Sequence, residues 1–121
     1  MFYFAYGSNL HHLQMKRRCK DSIYLKKINL KDFKLTFRSK YRAADIEYKK
    51  NSIVPGGLFE ISKSDEKKLD VYEDHPTLYK KHFFYSTIYF RFINIFSNKS
   101  SSLCSIFLYH SKQIIIPNKD N

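Results

Sequence analysis

Phe2-Tyr3-Phe4-Ala5-Tyr6-Gly7-Ser8-Asn9-Leu10 decides the fold, because an apolar run stops abruptly at Gly-Ser-Asn and a polar, basic segment follows. Phe2, Phe4 and Tyr6 fall on one face of an extended chain and Tyr3 and Ala5 on the other. A run apolar on both faces predicts a strand buried on both sides. Gly7 permits a turn at positive φ or a close approach of backbone to ligand. Ser8 or Asn9 is expected to cap a helix carried by Leu10, Leu13 and Arg17, leaving the free N–H groups of its first turn in the loop. Such groups attract anions. By itself, a strand–Gly–helix turn is more often structural than functional.

Outward from this stretch, strands dominate. Ile23-Tyr24-Leu25 and then Leu30, Phe33, Leu35 and Phe37, alternating with Lys34, Thr36 and Arg38, predict strands with one wet face, divided at Lys31-Asp32. Arg38 to Arg42 reads as a loop. Ala44, Ile46 and Tyr48 alternate with Asp45, Glu47 and Lys49 in another strand, and Lys49 to Ser52 is expected to turn the chain. Val54 to Ile61 reads as a strand entered through a Gly56-Gly57 bulge, with Pro55 confined to an edge or bulge because it cannot donate to a ladder. Ser62 and Ser64 are candidate caps of a short helix with Asp65 and Glu66 in its first turn, Leu69 and Tyr72 on its apolar side and Pro76 as its stop. From Lys80 to Phe96, Phe83, Tyr85, Thr87 and Tyr89 face one way and Phe84, Ile88, Phe90 and Phe92 the other. Ser97 to Ser102 is the expected turn, and Leu103 to Tyr109 returns as the partner strand of a hairpin. Two short helices among many strands predict an α+β domain on a curled or closed mixed sheet.

One domain accounts for all 121 residues, and 43% hydrophobic content is enough for a core. Twenty-two Lys and Arg against eleven Asp and Glu give a net charge of +11, which raises nucleic acid or a membrane surface as partners. The charge is spread, however, with Lys16-Arg17-Arg18 in its longest run, and no RNA-binding signature appears. Cys19 and Cys104 lie far apart without metal-ligand spacing, so reduced thiols are expected. His75, His82 and the His11-His12 pair form neither a metal spacing nor a nucleophile–base pattern. No basic n-region with a long apolar core opens the chain, and no apolar run has the length of a membrane span. The expected location is therefore cytoplasmic.

Tyr3-Phe4-Ala5-Tyr6-Gly7-Ser8-Asn9-Leu10, followed by Val54-x-Gly56-x-Leu58 and Leu69-Asp70-x-Tyr72-Glu73-x-x-Pro76-x-x-Tyr79, resembles the γ-glutamylcyclotransferase-like family, which includes the avirulence-induced-protein-like members. Leu30 to Phe37 fits a further region of that family, and the resemblance runs from Phe2 to about Tyr109. It implies a small mixed α/β fold around a barrel-like sheet, and an enzyme that cyclises a γ-glutamyl amide to 5-oxoproline and frees the amine or amino acid. It implies no metal and no organic cofactor.

By the same resemblance, Glu73 is the catalytic carboxylate. Tyr6, Gly7, Ser8, Asn9 and Leu10 form the loop holding the γ-glutamyl group, and Tyr79 and Tyr109 stand near it. The chemistry asks for such a carboxylate, because the α-ammonium must lose a proton before it attacks and the departing amine must gain one. Asp70 and Asp74 are the competing carboxylates, Asp70 expected to serve the helix or a loop N–H and Asp74 to face solvent. The expected partner is a small γ-glutamyl substrate, with no specific nucleic acid and no membrane. A non-catalytic γ-glutamyl-binding homologue and a basic nucleic-acid-binding protein are the alternatives. Relatives continue beyond Ile114-Ile115-Ile116-Pro117 into a further helix, so a single domain lacking its usual C-terminal helix is expected. That leaves a minimal form, a partner covering the gap or a shortened chain, with low stability and a monomer or homodimer in solution.

Overall fold

The shortest strand, β1 (Phe2–Ala5), lies at the centre of a five-stranded sheet of order β2-β3-β1-β5-β4. In the computed structural model, which describes residues 1–38, 43–91, 99–111 and 116–117, the other strands are β2 (Ile23–Arg38), β3 (Ala43–Glu60), β4 (Tyr79–Arg91) and β5 (Lys99–Ser111). Helices α1 (His12–Arg18) and α2 (Lys63–Tyr72) complete the chain. The sheet is mixed: β1 pairs parallel with β5, Phe2 opposite Ile106 and Tyr3 opposite Phe107, and antiparallel with β3. The architecture is thus the α+β barrel-like sheet with two short helices that the sequence predicts.

The two-faced character of β1 organises the core. Phe4 enters one apolar cluster with Leu30, Ile46, Val54, Leu58, Ile106 and Leu108, all contributed by strands. Tyr3 and Ala5 enter the other, where Met15 of α1 and Leu69 of α2 cover Phe59, Phe107 and Tyr109. Each large side chain so buried contributes ~1.5–3 kcal/mol. The strand-only face closes on itself: β2 and β4 are the outer strands by hydrogen bonding, yet the rings of Phe33 and His82 approach to 6.2 Å. Gly56 makes the β1–β3 contact possible, since a Cβ there would stand 2.5 Å from Ala5 O and inside the Phe4 ring.

Several local expectations change. Ile23 to Arg38 is one strand with an irregularity at Asp32, which takes φ 66°. Lys49 to Ser52 does not turn the chain, because β3 continues through it as a bulge opposite Asp32, where Asn51 at φ 67° donates its N–H to Asp32 Oδ1 at 3.0 Å. Pro55 pairs with Asn29 of β2, beyond the point where β1 ends at Ala5 opposite Gly57, so β1 asks for no N–H there. Leu35 and Phe37 are exposed, whereas Leu30 and Phe33 earlier in the same strand are buried. Asp45, expected on the wet face of its strand, is buried beside Ile46. Lys99 to Ser102 is strand opposite Ile88 to Arg91, and Arg38, expected in a loop, is the last residue of β2 opposite Ala43; the rest of that expected loop, at 39–42, and the stretch 92–98 lie outside the described residues. So do Ile114 and Ile115; Ile116 packs on the strand-only core. Among the described residues no helix is long and apolar enough to cross a membrane.

Candidate active site

Beyond Ala5 the chain leaves the sheet and makes a 3-10 turn, Ser8–Leu10, before α1. This differs from the predicted direct entry into a helix capped by Ser8 or Asn9. Their side chains are engaged elsewhere: Asn9 Nδ2 donates to Tyr3 OH at 3.0 Å, and Arg18 Nη1 donates to Asn9 Oδ1 at 2.5 Å and Ser8 Oγ at 3.1 Å. His11 caps α1 instead, its Nδ1 accepting from Gln14 N at 3.3 Å. Leu13 consequently lies in solvent, and Met15 is the residue α1 buries. Gly7 has φ −116°, not the positive φ that glycine invites, and a Cβ placed there would meet Ala44 Cβ at 3.4 Å, an ordinary contact. The turn closes through Leu10 N to Gly7 O and His11 N to Ser8 O, so the N–H groups of Gly7, Ser8 and Asn9 stay outside its own hydrogen bonds.

This turn borders a cleft of about 460 Å³. Tyr6, Gly7, Ser8 and Asn9 form one wall, with Tyr3 at its base. Ala43 and Ala44 at the start of β3 form a second, and Tyr72, Glu73, Tyr79 and Tyr109 close the remainder. Seven of the eight residues picked from the sequence therefore meet in one cavity. Leu10 is the exception: its side chain lies over Gly57, away from the cleft.

Glu73 reaches this place because α2 ends there. A reciprocal capping box starts the helix, Ser62 Oγ accepting from Asp65 N and the Asp65 carboxylate from Ser62 N. The helix closes at Tyr72, before Pro76 is reached, and Glu73 caps it with its N–H on Leu69 O at 2.8 Å. Burial in this aromatic cleft pushes the Glu73 carboxyl up to about 7, against an opposing pull from the Arg18 guanidinium. The competing carboxylates are placed otherwise. Asp70 accepts from Tyr109 OH at 2.6 Å and pairs with Lys81 Nζ at 2.8 Å, a role in neither the helix nor a loop. Asp74 is exposed, as expected.

The tyrosines supply surface more than chemistry. Burial raises Tyr3, Tyr6, Tyr79 and Tyr109 above the ordinary phenol range, and the Glu73 charge adds to each. Tyr6 OH donates to Tyr109 O at 2.5 Å, and Tyr109 OH is turned to Asp70, so these two rings wall the cleft with their hydroxyls occupied.

Two residues at the site escaped sequence reasoning. No spacing rule links Arg18 to Ser8, because the 3-10 turn sets their separation. Asp45 read as half of a polar alternation, yet its Oδ1 accepts from Ile46 N and Ser111 N, joining β3 to β5 where β1 has ended. Its Oδ2 has no hydrogen-bond partner among the described residues, and its charge helps raise Tyr6 and Tyr79.

Solved structures share this architecture at low identity. One described as a gamma-glutamyl cyclotransferase is 23% identical, with 92% of this chain and 69% of that one covered and a TM-score of 0.60. An AIG2-like protein from Mus musculus is 16% identical over 92% and 76% of the two chains, TM-score 0.62. A protein of Arabidopsis thaliana is 13% identical over 96% and 71%, also with a TM-score of 0.62. At such identities the likeness is one of fold. No curated protein sequence matches the chain. The sequence pattern of one family does match, across residues 3–120, and a match of that extent places the cleft, the turn and the helix end inside it: the chain belongs to the gamma-glutamyl cyclotransferase, AIG2-like family.

Proposed function

We propose that this protein is a γ-glutamyl cyclotransferase that converts a γ-glutamyl amino acid or amine to 5-oxoproline and the free amine, with Glu73 as general base and then general acid. The observation that carries this reading is the Glu73 carboxyl, pushed up to about 7 inside a cleft bordered by the Tyr6-Gly7-Ser8-Asn9 turn. Among the described residues it is the carboxyl that lines this cleft. Family membership and the fold of the solved relatives support the same reaction class.

The steps follow from proton balance. Glu73 takes a proton from the substrate α-ammonium, the freed nitrogen attacks the γ-carbonyl to close a five-membered lactam, and the C–N bond to the leaving amine breaks as Glu73 returns that proton to it. The second proton, shed by the ring nitrogen on becoming an amide N–H, is taken up by the released amine, which departs as its ammonium. An ordinary carboxyl lies roughly 3.5 pH units below an α-amine of ~8, whereas one at about 7 lies roughly 1 below, so burial lightens the proton transfer. The N–H groups of Gly7, Ser8 and Asn9 are suited to the substrate α-carboxylate or to the oxyanion formed on attack. Both ends of the reaction sit in one substrate, so holding it folded supplies acceleration by proximity, and the atoms balance without a cofactor.

The test is to incubate the purified chain with a panel of γ-glutamyl dipeptides and γ-glutamylamines and to measure 5-oxoproline. Release from at least one panel member, lost in Glu73→Gln, is the expected result. Binding of a panel member without any turnover would instead make the protein a γ-glutamyl-binding homologue.

A further inference from the structure

Arg18, the last residue of α1, is the point at which the two halves of the cleft meet. Its Nη1 donates to both Ser8 Oγ and Asn9 Oδ1, at 3.1 and 2.5 Å, and Asn9 passes the constraint on through Nδ2 to Tyr3 OH in the centre of the sheet. With the Gln14 amide turned to satisfy both neighbours, its oxygen accepts from Arg18 Nη2 at 2.6 Å while its nitrogen donates to Ser8 O at 3.1 Å. On the other side, the guanidinium carbon lies 3.4 Å from the centroid of the Tyr72 ring, the residue immediately before Glu73. One planar cation therefore holds the turn by hydrogen bonds and the end of α2 by stacking, a pairing of roles that suits arginine and not lysine.

We propose that Arg18 is the positioning residue of this site, fixing the Ser8–Asn9 turn against the Tyr72–Glu73 helix end and acting on the reaction through Glu73. The inference rests on the acid–base role of Glu73 given above. The groups facing Glu73 are Tyr3 of β1, Tyr6 beyond it, Tyr72 of its own helix, Tyr79 of β4 and Tyr109 of β5, together with Arg18 of α1. Among the described residues, Arg18 is the cation whose charge acts on Glu73, and it opposes the rise that burial produces. Without that charge, burial acts alone and Glu73 ionises at a higher pH.

Two variants separate charge from geometry. Arg18→Gln removes both, and Arg18→Lys keeps the charge but cannot donate to Ser8 and Asn9 while stacking on Tyr72. The first readout is the Glu73 titration midpoint, followed by NMR on chains carrying carbon-13 glutamate, with Glu73→Gln assigning the resonance. It needs no turnover. Expected is a midpoint moved to higher pH in Arg18→Gln and close to the parent's in Arg18→Lys. The second readout is kinetic, on whichever panel substrate is turned over. KM should rise roughly 10–100-fold in both variants as the charge-assisted hydrogen bonds to the turn are lost. The acid limb of kcat/KM should move to higher pH in Arg18→Gln alone. An unchanged midpoint in folded Arg18→Gln overturns the inference, as does parental KM in Arg18→Lys, the variant that remains informative where Arg18→Gln does not fold. Variants that show the expected midpoints, alongside a parent that makes no 5-oxoproline, overturn the proposed reaction and leave the link between Arg18 and Glu73 standing.

Discussion

Glu73 carries a conflict between stability and chemistry that a single substitution exposes. Its carboxyl is raised in the folded protein to about 7 from an ordinary 4.5, so the folded chain binds the proton more tightly than the unfolded one. The sign follows directly: the contribution is fully present below pH ~4.5 and is lost as pH rises through about 7, because ionising the buried group costs more than ionising it in water. At ~1.4 kcal/mol per pH unit the span is on the order of 3 kcal/mol at most. Glu73→Gln, neutral at every pH, should gain stability over the parent between pH 4.5 and pH 8 by some part of this. Urea midpoints at the two pH values measure it, and parallel pH dependence in both proteins would mean that the carboxyl is not raised. The same variant should lose ~10²–10⁴-fold in kcat/KM, and 5-oxoproline release within a few-fold of the parent would remove Glu73 from the mechanism.

At the scale of the element, α2 delivers Glu73 and depends on its cap. Ten residues are too few for a helix to persist alone in water, so its start and its buried face must hold it. Ser62 Oγ accepts from Asp65 N at 3.1 Å and donates to Asp21 Oδ2 at 2.8 Å, while the fully buried Asp65 also accepts from Asp21 N. Ser62→Ala removes the reciprocal bond and the tie to the segment before β2. A loss of ~0.5–2 kcal/mol is expected, or a lowering of Tm on the order of 5 °C per kcal/mol. At 25 °C the KM for a turned-over substrate should stay close to the parent's, since the cap lies at the opposite end of the helix from Glu73. A calorimetric scan paired with that KM checks both parts, and an unchanged Tm would show that burial of Leu69 alone sustains the helix.

Across the whole molecule, the cleft is braced by a polar network that ties three elements together. Tyr109 of β5 donates to Asp70 of α2, which pairs with Lys81 of β4, and Lys81 also reaches Glu66 at 3.2 Å. With its hydroxyl spent in this brace, Tyr109 meets the cleft through its ring. Tyr109→Phe should therefore cost stability, ~1.5–3 kcal/mol for a hydrogen bond to a charged group, and change kcat/KM by less than about 10-fold. Denaturant unfolding and steady-state kinetics on the same variant decide between brace and substrate contact. A large kinetic loss at unchanged stability would make the hydroxyl a substrate ligand.

What the sequence determined by itself was whatever depends on neighbours along the chain. The apolar run from Phe2 to Tyr6 marked a strand buried on both faces, Ser62 or Ser64 with Asp65 and Glu66 marked a helix start, and alternation set Phe84 and Ile88 on one face of β4, which the fold makes the inner one. That seven of the eight residues chosen as site candidates would share one cleft has a different origin: six of them lie in two short motifs whose order resembles a family, and Tyr109 stands at the end of that resemblance. Tertiary structure decided what depends on partners distant in the chain. Lys49 to Ser52 has the composition of a turn, yet pairing with β2 absorbs it as a bulge. Asp45 has the pattern of a wet-face residue, yet backbone donors at Ile46 and Ser111 draw it into the interior. Arg18 lies in an ordinary basic run, and only the 3-10 turn and the end of α2, packed on the same side of β1, bring Ser8, Asn9 and Tyr72 within its reach. Periodicity records which face of an element is apolar, whereas a buried charge is placed by the donors that meet it, and those donors come together only once the sheet has closed.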